Sequence, residues 1–100
     1  MFELDNDAME TFRRYSQPAE VQLPATAILG RRSPGQVPMW AVAGGLDVAA
    51  TLTGYVTTEY LSSTGDVFSL VSTVLTSRNG SLAVGVVQLV PATAYRRTGL

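Results

Sequence analysis

One hundred residues make one domain, near the size at which a single core only just offsets the conformational entropy lost on folding. At 46% hydrophobic and 15% charged the chain has material for a core and too little charge for a disordered tail, and a formal net charge of -1 gives no indication of a non-specific electrostatic grip on nucleic acid. Cysteine, histidine and lysine are all missing, which removes the disulfide framework, the thiolate metal site, the imidazole base and the Schiff-base amine together.

The first ten residues carry Glu3, Asp5, Asp7 and Glu10, and this is not the basic-then-apolar pattern of a secretory signal. No stretch approaches the roughly 20 apolar residues of a membrane-spanning helix, so a soluble protein made in the cytosol is expected. Residues 7–15 read as a short amphipathic helix: Asp7 caps it, Glu10 reaches back in a capping-box arrangement, Met9 and Phe12 share a face, and Arg13 and Arg14 suit the last turn. Pro18 ends that helix. Residues 20–29 then read as a strand, with Pro24 confining part of it to an edge or a bulge. Residues 30–36 are a polar loop holding Arg31 and Arg32. Residues 37–43 suggest a short strand around Trp40, a side chain expected in the core.

Residues 46–60 are rich in β-formers, and Gly54 suggests a bulge between two strand segments. Ser62, Ser63, Thr64, Gly65 and Asp66 form a turn. Residues 67–77 and 81–90 flank Asn79-Gly80, the strongest two-residue hairpin signal, since both residues tolerate the positive φ of a type I′ turn. Residues 92–100 read as a flexible C-terminal tail. The expectation is a single mainly β domain over 1–100, a small β-barrel or sandwich with a short N-terminal helix.

The hairpin fixes a register: Leu75 opposite Val84, Val74 opposite Gly85, Leu70 opposite Leu89. One face then carries Phe68, Leu70, Val74, Val87 and Leu89 and is the expected core. The other carries Val71, Thr73, Leu75, Leu82, Val84, Val86 and Gln88. A domain this small hardly buries both faces of a sheet, so Val71, Leu75, Val84 and Val86 are candidate partner-binding residues. Arg31, Arg32, Arg96 and Arg97 are the charged candidates, able to grip an acidic protein patch, although solvated loop and tail charge is the simpler account of them.

Carboxylates are the catalytic chemistry left. Asp47, Glu59 and Asp66 suit a hydrolase only if two of them lie about 5 to 9 Å apart, and turn and strand-edge carboxylates are far more often solvated. Gly30 and Gly44-Gly45 lack the glycine spacing of a nucleotide-binding loop. Asn79-Gly80-Ser81 reads as a turn before it reads as a glycosylation acceptor. No catalytic, cofactor-binding or metal-ligating residue is expected.

The run from Ala8 to Phe12 leading to Pro18-Ala19-Glu20-Val21, the segment Ala27-Ile28-Leu29, and Tyr55-Val56-Thr57-Thr58-Glu59-Tyr60-Leu61 followed by Gly65-Asp66-Val67 resemble the small head-tail joining proteins of tailed bacteriophages. The resemblance implies a non-enzymatic virion protein, made in the host cytoplasm, that forms a homo-oligomeric ring on the portal and offers the tail a binding surface. It implies no cofactor, no specific nucleic acid and no membrane; the partners would be portal, tail or capsid subunits. One long strand over 67–77 stands where that family often has a short Gly-aromatic hairpin. Capsid decoration or cement proteins, of similar size and β content, are the alternative.

Overall fold

The computed structural model describes residues 11–30 and 39–98. Among them, β1 (Phe12–Pro24), β2 (Thr51–Leu61), β3 (Val67–Thr76), β4 (Ala83–Pro91) and β5 (Arg96–Arg97) form one antiparallel sheet in the spatial order β4-β3-β2-β1-β5. The helical pieces α1 (Thr26–Leu29) and α2 (Met39–Gly44) and a 3-10 turn at Ala92–Ala94 are short. The chain is therefore mainly β, and its sheet is open, with β4 and β5 at opposite ends.

The expected N-terminal helix is not formed where the structure describes it. Residues 7–10 lie outside the described residues, and from Phe12 onward the chain is strand. Two turns of helix are marginal alone, whereas pairing with β2 sets Phe12 opposite Tyr60 and Arg13 opposite Glu59, one aromatic and one opposite-charge cross-strand pair. The Phe12 and Tyr60 rings lie 6.3 Å apart. Residues 20–29 divide at Pro24: the strand stops there, and Leu29 and Gly30 donate to the carbonyls of Ala25 and Thr26 to make α1. Of the strand expected at 37–43, the first two residues lie outside the described residues and the remainder is α2. Trp40 is 79% exposed there, not part of the core.

Two interruptions meet at the middle of β2. Between Arg14 and Ala19 the pairing advances five residues along β1 against two along β2, from Thr58 to Val56. Across the β2–β3 ladder the register also slips between Val56 and Thr58, leaving Thr57 as the extra residue of a bulge. Before the bulge Leu52, Gly54 and Val56 face inward; after it Glu59 does. Gly54 marks a close approach and not the bulge, because a Cβ there would lie 2.8 Å from Val71 Cγ1 and 3.1 Å from the Ser72 carbonyl oxygen.

The β3–β4 register is the expected one, with Leu75 opposite Val84, Val74 opposite Gly85 and Leu70 opposite Leu89. The turn differs from a type I′. Gly80 has φ 76° but no described residue other than glycine has positive φ, and the Gly80 N–H donates to the Ser77 carbonyl at 3.0 Å, so a type I turn is followed by a left-handed glycine. Asn79 Oδ1 accepts from Ser77 Oγ at 2.8 Å and from the Ser81 N–H at 3.1 Å, tying the loop from within.

The two faces are the reverse of the expectation. Val71 and Leu75 are 0% and 2% exposed, whereas Val74, Val87 and Leu89 are 53%, 66% and 51% exposed. Polar residues on the inner face misled the pattern. Ser69, Thr73 and Ser77 are buried there, and each hydroxyl is satisfied: Ser69 with the Tyr95 hydroxyl at 2.6 Å, Thr73 on the Thr53 carbonyl at 2.8 Å, Ser77 on Asn79. The core of Val21, Leu23, Ala25, Leu52, Val56, Val71, Leu75 and Val90 is roofed by Ala27 and Ile28 of α1, Leu46 and Ala50 before β2, and Ala94 and Tyr95.

Nor do residues 92–98 form a free tail. Arg97 pairs with Val21 and Arg96 with Gln22, and the Thr98 N–H donates to the Glu20 carbonyl at 3.2 Å.

Candidate interaction surface

Among the described residues nothing packs over the apolar side chains on the outer face of the sheet that remain exposed. Strand pairing lines up Phe12, Tyr60, Phe68 and Pro91 in one cross-sheet row and Thr58, Leu70 and Leu89 in the next, with Val74 and Val87 further along. Phe12, Tyr60, Val74, Val87 and Leu89 are all exposed. Single exposed apolar side chains are ordinary, but adjacent ones on one flat face are the mark of a binding surface. The same pairing places exposed Arg14 opposite Thr58 and exposed Glu20 opposite Tyr55, so the face is charged at its β1 border, and its uncharged part is the Phe12–Tyr60–Phe68–Pro91 row with the β3 and β4 side.

The candidates named from the sequence divide. Val71 and Leu75 are core residues and cannot reach a partner in the folded chain. Val84 is exposed and Val86 half-buried, both on the inner face of β4 where the roof of the core ends. Arg31 and Arg32 lie outside the described residues. Arg96 is exposed and donates to Gln22 Oε1 at 3.1 Å, beside a shallow open depression of about 380 Å³ lined in part by Pro24, Thr51, Thr93 and Tyr95.

Arg97 turns inward to a polar cluster. Its Nη2 lies 3.9 Å from Glu59 Oε2 and donates to the Tyr15 hydroxyl, and its guanidinium stands 5.3 Å from the Tyr15 ring centre. The Arg13 guanidinium is 5.6 Å from the same ring. Glu59 itself is buried, and its Oε1 has no hydrogen-bond partner among the described residues. Burial first, and then the Glu59 carboxylate beside it, push the Tyr15 hydroxyl up to about 12 from its ordinary 10, with the Arg97 cation pulling the other way. An acidic residue in the middle of a β-forming run was the signal for this cluster, because a buried strand carboxylate requires a cation and arginine is the only basic residue type in the chain.

Asp47 and Asp66 stand beyond opposite ends of β2, and Glu59 lies on that strand. Asp47 accepts from the Ala49 N–H at 3.0 Å before β2 begins, and Asp66 accepts from Thr64 at 2.9 Å in the turn after β2 ends. Those two are separated by an eleven-residue strand, roughly 35 Å of chain. Glu59 is held in the Arg97 cluster. No three acidic side chains among the described residues gather as metal ligands, and no described helix is long and apolar enough to cross a membrane. No protein-family model matches the chain, and no curated protein or solved structure matches it.

Proposed function

We propose that this chain is a structural virion protein, a head-tail joining adaptor that docks on neighbouring subunits through the outer face of its sheet and acts as part of a ring beneath the portal. The observation that carries the docking is the set of exposed apolar side chains Phe12, Tyr60, Val74, Val87 and Leu89 on a face that the described residues leave open, with charge at its β1 border in Arg14 and Glu20. The virion setting rests on the resemblance of residues 55–67 to the joining proteins, where a strand bearing threonine and an acidic residue leads to a Gly-Asp turn. In the protein, Ser62 Oγ accepts from the Asp66 N–H at 3.0 Å and Gly65 takes φ 92°, a closed turn that holds β2 and β3 in register. An apolar partner surface laid on the outer face completes a two-layer sandwich about 10 Å thick, which the isolated sheet lacks.

Labelling with a chain-specific antibody on purified virions of the source phage tests the reading. Signal confined to one vertex, lost when Val74→Lys is introduced into a chain that still folds, is the expected result. Signal spread over the capsid lattice assigns the chain to the decoration proteins instead, and absence from particles ends both virion readings.

A further inference from the structure

We infer that β4 is a pairing edge for a second copy of this chain, joining two sheets into one continuous antiparallel sheet across a two-fold axis. The inference does not depend on the virion reading. It starts from an asymmetry between the two edges of the sheet. The β1 side carries the devices that keep an edge strand from pairing with strangers: charged Arg13, Arg14 and Glu20, the irregularity between Arg14 and Ala19, and the short β5 with Arg96 and Arg97 laid over Val21 and Gln22. The β4 side carries none of them. Ala83–Pro91 has no charged residue, no proline before its last position, and nine consecutive pairs with β3 without a register shift. Among the described residues nothing pairs with its outer side.

The register shows what that edge offers. The Ser77 N–H donates to the Leu82 carbonyl, so Ser77 and Leu82 form a hydrogen-bonded pair, and in an antiparallel ladder such pairs alternate. Val84, Val86, Gln88 and Val90 therefore spend their backbone groups on β3. Ala83, Gly85, Val87 and Leu89 point theirs outward. A second β4 running antiparallel and centred on Val86 meets all four: Ala83 of one copy faces Leu89 of the other and Gly85 faces Val87, with every N–H available because Pro91 falls outside the paired stretch. The strand is thus self-complementary, as an isologous interface requires. Side chains support the pairing on both faces, with Val86 of the two copies opposed on one and Val87 and Leu89 on the other, within the roughly 5 Å of cross-strand neighbours. No like charges meet.

Two variants test this without disturbing the fold. Val87→Pro removes an outward N–H that β3 does not use, the one kind of edge position where proline is tolerated. Gly85→Lys adds a side chain where a Cβ meets nothing within 4 Å and φ is not positive, and it sets a charge on the edge. Sedimentation velocity on the full chain should find a dimer at tens of micromolar, since an edge of this length is at the small end of stable interfaces, roughly 1,000 Å² or less. Both variants should shift that dimer to monomer by at least tenfold in dissociation constant while keeping the wild-type circular dichroism spectrum, and Val74→Lys, away from the edge, should leave it intact. A strictly monomeric wild type overturns the inference, including the case in which amide protection of Gly85, Val87 and Leu89 in that monomer reveals that the chain covers its own edge. A dimer that survives both edge variants or is broken by Val74→Lys overturns it as well, because the contact is then elsewhere.

Discussion

Thr57 is one residue more than β3 can match, and that surplus decides what Glu59 does. Without the bulge, strict alternation from Val56 would send Glu59 to solvent; with it, the carboxylate faces inward against Ser69 and needs Arg97 and Tyr15 beside it. On β3 and β4 the Asn79-Gly80 hairpin gives the register correctly, while the apolar weight of the two alternating faces gives the inward side wrongly. Leu70, Val74, Val87 and Leu89 look more like a core than Ser69, Val71, Thr73 and Ser77, yet hydroxyls that find buried partners lie inside at little cost. The side is set instead by Gly54 and Val56, which pair with Thr73 and Val71 and carry the core across from β1. Substitution separates the two assignments. Val71→Asp places a carboxylate at a fully buried site with no cation, costing several kcal/mol, on the order of the whole stability of a small domain. That variant should be unfolded by circular dichroism at 25 °C. Val87→Asp, exposed on the outer face, should melt cooperatively within a few degrees of the wild type.

At the scale of elements, the β3–β4 hairpin was legible because its signal is local: a glycine with positive φ, an asparagine that tolerates turns, and β-formers on both sides. The first strand was not, since Asp7, Glu10, Arg13 and Arg14 satisfy every local rule for a short helix, and only the distant partners Tyr60 and Glu59 favour extension. For the same reason β5 was read as tail; two arginines in a polar stretch carry no strand signal until Val21, Gln22 and Glu59 are in place. The joint between β1 and β5 has a pH signature. Tyr15 keeps its proton to about 12 in the folded chain against 10 when unfolded, so the folded state binds that proton more tightly. Its contribution is fully present below pH 10 and is lost as pH rises through 12, where the unfolded chain gains from releasing the proton earlier. The melting temperature should fall across that window, and Tyr15→Phe, which has no proton to release, should flatten the fall. An unchanged slope in Tyr15→Phe would assign the alkaline loss to another group.

Over the whole molecule, the sheet is long and thinly covered: the radius of gyration is 16.2 Å, against about 13 Å for a compact chain of this length. A count of strands does not reveal this, because whether a sheet closes, or which face is roofed, depends on contacts between Ile28, Leu46, Tyr95 and Val90 that lie far apart in sequence. Uneven cover implies uneven stability. The strands β2, β3 and β4 are joined by turns at 62–66 and 77–82 and share most of the core, so their contacts close short loops. β1 reaches them only through residues 25–50, and its first three paired residues are exposed. β5 adds two paired residues at the margin. Local opening should follow that order. In hydrogen exchange on the monomeric Val87→Pro variant, the amides of Val71 and Thr73 in the centre of β3 should exchange slowest, at the rate of global unfolding. Those of residues 12–14 should open earlier, and Arg97 and Thr98 first, because their release breaks two strand pairs, the Thr98–Glu20 bonds and the side-chain contacts of the exposed Arg96 and Arg97 while the meander remains intact. Equal protection of Arg97 and Val71 would mean that the Arg97, Tyr15 and Glu59 contacts bind β5 into the cooperative unit, making the C-terminal strand a structural clamp on the fold.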